Sequence, residues 1–438
     1  MRTVVMGSLL VVLCLSFVIN AFAVTGSLQK GATFVGAKSC KECHTERFHS
    51  WGSTKHPYKL QPVNPNFVIG DFIKNNTYEV KGKVSTMTKR GDDYYIKTSG
   101  QDGTLKEHKV KYVIGSFWKQ RYITVFPDGG LHILPVQWNV QGQKWGDYHG
   151  LKKHKPGNGK YWSDPGRTYQ KKCLGCHTTG SSYTYDTATK QYSDTKWVDF
   201  GVSCEACHGP GSKHVKSSEQ DKKESIFNPG VHPDSRRAAM TCGMCHNRGK
   251  STDGIHSYPT QGIKKVGTKI TPIPFLAGQD LRMQYHEKPG LHGDGSAKKH
   301  HQQYNDWKTT GHGRAGVMCW DCHTVHSKGS ANQFQLKLPG SSLCISCHTN
   351  VQPKGVHGIH TANDCVGCHF PRTAKNSQPF DNSAHTARVV YPEVTVKAGG
   401  DLKKAPNSCN ICHYHKDHSP SKLQRELDKH LKKVDLDH

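Results

Sequence analysis

Cys204-Glu-Ala-Cys207-His208, followed at once by Gly-Pro-Gly-Ser-Lys-His214, is the most telling stretch of this 438-residue chain. The same Cys-x-x-Cys-His pentapeptide recurs at Cys40-Cys43-His44, Cys173-Cys176-His177, Cys242-Cys245-His246 and Cys319-Cys322-His323. It recurs again at Cys344-Cys347-His348, Cys365-Cys368-His369 and Cys409-Cys412-His413. Each of the eight copies reads as a c-type haem attachment site. Two thiols form thioethers with the porphyrin vinyl groups, and the histidine after the second thiol is held beneath the iron as proximal ligand. The motifs use 16 of the 17 cysteines, and the last, Cys14, lies in the N-terminal apolar stretch. Zinc knuckles need paired Cys-x-x-Cys units or distant histidines, and a redox dithiol needs one motif. Neither places a histidine after every pair.

Composition agrees with a core built from cofactor. Only 34% of residues are hydrophobic, and mean hydropathy is −0.70. Side chains alone would make a poor core for this length, so eight macrocycles must supply apolar bulk, with folding coupled to their attachment. Sixty Lys+Arg against 34 Asp+Glu give a net charge of +26. Cofactor charge belongs in the sum: eight ferric haems and loss of Arg2 reduce it to about +17, and full reduction to about +9. That excess favours an acidic redox partner or an anionic surface, not nucleic acid.

Arg2 precedes an apolar run from Val4 to Val18, and Ala21-Phe22-Ala23 offers a small-x-small cleavage site, so residues 1–23 read as an export signal. The mature chain is expected to carry no membrane span and to act in the periplasm or at the outer surface. Motif spacing predicts two haem domains, 24–250 (haems 1–4) and 251–438 (haems 5–8), bridged by a loop at Pro259–Gly278 rich in Pro, Gly and Lys. Alternation in 77–84 and 109–114, Tyr94-Tyr95-Ile96 after a Lys-Arg-Gly turn, and another short run at 131–136 predict a small antiparallel β insertion at about 77–140. Elsewhere the pattern is short helices and loops, so the fold class expected is mainly α and irregular, with haems as core. Ser419-Pro420 starts a final helix with Leu423, Leu427 and Leu431 on one stripe.

Eight of the 30 histidines sit in motifs, leaving 22 for the distal faces. Position favours His56, His214, His312, His326 and His385. His149, and one of His357 or His360, are further candidates, and His415 and His418 compete for a remaining place. Methionine is too scarce to serve widely, so most haems are expected to be bis-histidine and of low potential.

Several strings resemble the cytochrome c-554-like superfamily of multihaem cytochromes. They are Val35-Gly-x-x-x-Cys40 with Trp51 and His56, Gly201-Val-Ser-Cys204 through His214, and Gly316-Val-Met-Cys319 through His326. Cys365-Val-Gly-Cys-His-Phe370-Pro matches a family motif with Phe370 in place of Met. The resemblance implies a haem wire and implies that His56, His214, His312, His326 and His385 are distal ligands. The superfamily holds carriers and enzymes alike. No Cys-x-x-Cys-Lys motif occurs, which argues against the nitrite-reductase type. The reading is an exported octahaem electron carrier. The alternatives are a reductase or oxidase of a small nitrogen or sulfur species with one open haem, and a subunit of an extracellular filament or other homo-oligomer.

Overall fold

The computed structural model describes residues 30–148, 151–329, 334–351, 357, 364–412 and 414–435. It corrects the expected fold class. The protein is 27% helix and 23% strand, with several antiparallel sheets, and is not mainly α. Several motif helices are single turns, such as Cys204–His208 and Cys319–Cys322, and add little helix, whereas the fourth motif ends the 12-residue helix Ser235–His246. The strands run further than alternation alone revealed.

Two sheets form the apolar centre of the N-terminal half. One contains β2 (Thr77–Val80), β3 (Lys83–Arg90), β4 (Asp93–Ser99) and β5 (Leu105–Lys109) in sequential order. The other contains β1 (Gln61–Pro62), β6 (Tyr112–Ile114), β7 (Lys119–Val125), β8 (Leu131–Asn139) and β9 (Lys144–Asp147), also in that order. Every residue of β8 is buried. Its side chains alternate between two cores, as a strand's period of two requires. Leu134, Val136 and Trp138 face a core shared with Met87, Tyr94 and Ile96, whereas Leu131 and Ile133 face Tyr169, Leu174 and Tyr183. Phe72 joins the first core, with its ring edge-on to Tyr94, Tyr122 and Trp145 at 5.0–5.4 Å. The second core reaches the haem motif at Cys173 and Cys176.

The stretch expected as a bridging loop is a hairpin, Thr260–Val266 paired with Lys269–Pro274. It joins Ser182–Asp186 and Tyr192–Lys196 in a third, four-stranded sheet. Only Ile270 and Lys269 pair with Ser182–Asp186. Pro272 and Pro274 lie beyond that ladder, where a missing N–H costs nothing.

Past Tyr285 the described chain is mostly loops and short helices. Its buried apolar cluster there is Ala297, Ala374 and Ala384. The final helix, Pro420–Asp435, packs on Pro392–Lys397, and Gln424 Oε1 accepts from Glu393 N at 2.7 Å. Leu423 and Leu427 are half-buried there; Leu431 is exposed. Among the described residues no helix is long and apolar enough to cross a membrane.

Candidate haem centres

Four of the motif histidines are oriented through Nδ1. His208 Nδ1 meets Phe227 O at 2.9 Å, His323 meets Phe334 O at 2.8 Å, His177 meets Lys59 O at 3.1 Å, and His246 meets Gln303 Oε1 at 3.3 Å. Such bonds fix the tautomer and leave Nε2 free for a metal. Burial does the same electrostatically. It pushes His246 down to about 4 and His56 and His385 down to about 3, so these rings stay neutral donors.

Six motif rings face a second imidazole. Two metal–imidazole bonds of about 2.0 Å, each extended by about 1.1 Å from nitrogen to ring centre, would separate ring centres by about 6.2 Å. His44 and His214 stand 6.2 Å apart, His208 and His326 6.2 Å, His323 and His385 6.3 Å, and His369 and His357 6.2 Å. Their planes lie within 9–30° of parallel. His348 and His312 are 5.9 Å apart at 76°, and His246 and His56 are 6.5 Å apart at 90°. The gaps are too wide for hydrogen bonds and have the width of one six-coordinate iron. The residues therefore fit haem.

The pairing crosses between motifs. His214 follows the third motif but faces the first; His326 follows the fifth but faces the third; His56 follows the first but faces the fourth. Local packing fixes the backbone of His56 against the approach to the third motif. Trp51 Nε1 donates to Val202 O at 3.1 Å, and Val202 N donates to His56 O at 3.0 Å. Gly201 lies so close that a Cβ there would be 2.1 Å from Pro57 O. Phe370, the departure from Met, packs between His312 (6.5 Å) and His385 (5.8 Å). His149, His360 and His413 lie outside the described residues. His415 and His418 lie together, Nδ1 to Nδ1 3.3 Å, at an exposed corner.

His177 differs. Among the described residues no imidazole stands opposite it at this spacing. Tyr169 meets its ring edge-on at 6.3 Å. Burial pushes His177 down to about 4, and Lys59, Arg121 and Lys119 add to the shift. His300 and His301, half-buried and hydrogen-bonded to each other, lie in the same cationic region beside Lys119, Arg121 and Arg248, with His301 also near His177 and His246. Sequence reading left both in the undifferentiated pool; the unusual Lys-Lys-His-His run was the available signal. A small cleft lined by Ile133, Tyr148, Trp162, Arg167 and Lys172 opens at Cys173.

The attachment thiols show which motifs are neighbours. Cys40 and Cys204 lie close enough to influence each other, as do Cys176 and Cys245, Cys242 and Cys319, and Cys344 and Cys365. Cys207 feels Cys245, Cys322 feels Cys347, and Cys368 feels Cys412. The motifs thus run 1–3–4–5–6–7–8 in space, with the second branching from the fourth.

Comparison with known proteins agrees. The family model described as cytochrome c554 and c-prime matches residues 140–209, and the doubled CXXCH motif model matches 312–353. The cytochrome c nitrite reductase subunit NrfA of Nitratidesulfovibrio vulgaris is 23% identical over 189 residues, covering 35% of this chain and 34% of that protein. The dissimilatory sulfite reductase MccA of Wolinella succinogenes is 22% identical over 402 residues, covering 79% of this chain and 51% of that protein. The chain thus spans between about a third and half of the length of these curated relatives. The crystal structure of the outer cell wall cytochrome OcwA superimposes with a TM-score of 0.63 at 22% identity, covering 90% of this chain and 86% of that one. The protein is a multihaem c-type cytochrome.

Proposed function

We propose that the protein is an exported octahaem cytochrome that carries electrons by hopping along closely spaced, mostly bis-histidine haems. The observation that carries this is the set of six imidazole pairs at 5.9–6.5 Å. Bound haem would supply the one-electron chemistry of its iron. The chain's own residues then do the rest. Cys pairs fix each site, and paired imidazoles occupy both faces so that little reorganises between oxidation states. The contiguous thiols set the route from the first motif to the eighth. Export is supported by the leader-like sequence of residues 1–23, and an acidic redox partner or anionic surface by the net positive charge. Intact mass of the native protein is expected to exceed its cleaved polypeptide by eight haems.

A second reading is favoured by one site. Among the described residues no imidazole stands opposite His177 at the spacing of the six pairs, and Lys59, Lys119 and Arg121 add positive charge around it. An open face in a cationic pocket suits reduction of a small nitrogen or sulfur oxyanion, and two relatives are titled nitrite and sulfite reductases. Electron paramagnetic resonance of the oxidised protein separates the readings. An entirely low-spin spectrum, with no carbon monoxide binding after reduction, supports the carrier. A high-spin signal of one haem that binds carbon monoxide supports the reductase at His177.

His326→Met tests an individual ligand. A thioether in place of imidazole favours the ferrous state. One component of the redox titration is expected to move upward; a titration superimposable on the wild type would remove His326 from the ligand set.

A further inference from the structure

Behind the second motif, outside the paired imidazoles, lies a buried chain of ionisable groups. The Tyr183 phenol oxygen is 2.6 Å from His256 Nε2, and His256 Nδ1 is 2.5 Å from Asp253 Oδ2. Tyr183 is inaccessible to solvent and His256 is 1% exposed. Asp253 Oδ2 also accepts from Thr260 Oγ1 at 2.6 Å, and Oδ1 accepts from the backbone N–H of Ile255 and His256 at 2.8 and 3.0 Å. The carboxylate thus holds a proton on Nδ1 and turns the Nε2 lone pair to the phenol. Burial pushes Asp253 up, but the hydrogen bonds from His256 and Thr260 outweigh it and keep it ionised. Burial pushes the Tyr183 phenol far up, so a resting phenolate is closed to it.

The triad lies on an aromatic path. Ring centres run from Tyr185 to Tyr192 (4.6 Å), to Tyr183 (5.8 Å), to His256 (5.9 Å) and to Tyr258 (5.0 Å). Tyr258 lies flush on the second motif, since a Cβ on Gly175 would be 2.3 Å from its ring. At the other end Lys171 Nζ sits 3.9 Å from the half-exposed Tyr185 ring. Tyr258 donates to Gln170 O and Tyr192 shares a hydrogen bond with Thr168 Oγ1, and neither oxygen is a base. Of these three, Tyr183 is the one whose hydroxyl is hydrogen-bonded to an imidazole.

We propose that Tyr183 is a redox-active tyrosine that drains oxidising equivalents from the Cys173–Cys176 haem site when hydrogen peroxide reaches it. The proposal rests on the reading that this site has an open face. Peroxide takes two electrons and two protons to become two waters. Tyr183 supplies one electron, the iron of the oxidised site would supply the other, and both protons come from solvent water, because the phenol proton stays on His256. As the Tyr183 electron leaves, its O–H bond breaks and the proton passes to His256 Nε2. A neutral tyrosyl radical remains beside an imidazolium paired with Asp253. An electron from the haem chain and return of the proton restore it.

The test is electron paramagnetic resonance of oxidised holoprotein frozen soon after mixing with hydrogen peroxide, alongside carbon monoxide binding to the reduced form. The wild type is expected to show a radical whose splitting changes when its tyrosines are ring-deuterated. Tyr183→Phe should lose that signal and bleach its haem faster. Asp253→Asn, which keeps every tyrosine but weakens the base, should diminish it at unchanged haem content. If the protein binds carbon monoxide but the wild type gives no radical, or Tyr183→Phe keeps it undiminished, the relay is overturned and the open face stands. If no carbon monoxide binds, the open face is overturned and the relay with it.

Discussion

Produced without haem attachment, the chain is expected to lose its structure beyond Tyr285 while a protease-resistant fragment survives around residues 60–200. Ordering a backbone costs about 1–2 kcal/mol per residue. Against that, burial returns about 25 cal/mol per Å² of apolar surface. The N-terminal half has two substantial cores, with Trp162, Tyr122, Tyr161, Tyr169 and Tyr183 among its most deeply buried side chains. Beyond Tyr285 the described buried apolar residues are Tyr304, Met318, Val390 and four alanines. That half therefore needs the macrocycles as its core. Limited proteolysis of haem-free and holo protein, read by mass spectrometry, checks this; equal protection of both halves would defeat it.

Glu205 carries the second large effect. It lies between the two thiols of the third motif and is 2% exposed. Its carboxylate accepts from the backbone N–H of Val35 at 2.9 Å, Gly36 at 2.8 Å and Gly211 at 2.7 Å. It thereby ties the approach to the first motif onto the third, and positions the Gly211 turn that leads to His214. Glu205→Ala strands three donors, two of them buried, at about 1–3 kcal/mol each, so a loss of about 3–9 kcal/mol is expected. That rivals the whole stability of many domains. The melting temperature should fall by about 5 °C or more, and the spectrum of the first haem should broaden as the His44–His214 clamp loosens. A variant melting with the wild type would show that water replaces the carboxylate.

The haem attachment chemistry was legible in the sequence because Cys-x-x-Cys-His is a local motif. The five histidines singled out by position each stand opposite a motif ring in the structure. Their partners were not legible, because His214, His326 and His56 each serve a motif other than the nearest one. Sequence proximity carries no such information once the fold supplies the ligand. The β region was legible where one strand face meets solvent, as in Thr77–Val80. It was underread in Leu131–Asn139, where both faces are buried and alternation vanishes. Pro259–Gly278 read as loop because of its prolines, yet Pro272 and Pro274 pair within the hairpin, opposite Ile263 and Thr260, and lie beyond only the short ladder to Ser182–Asp186.

The crossed pairing of the rings imposes a timetable on assembly. A chain leaving the cytoplasm N-terminus first presents His44 long before His214 and His208 long before His326, whereas His56 emerges before the motif it faces. In the proposed ligation the early haems wait with one face vacant until later segments emerge. Chaperoning of those vacant faces, or quick passage through that interval, is then a requirement of maturation. Truncation from the C-terminus would leave defects at haems attached far upstream of the cut.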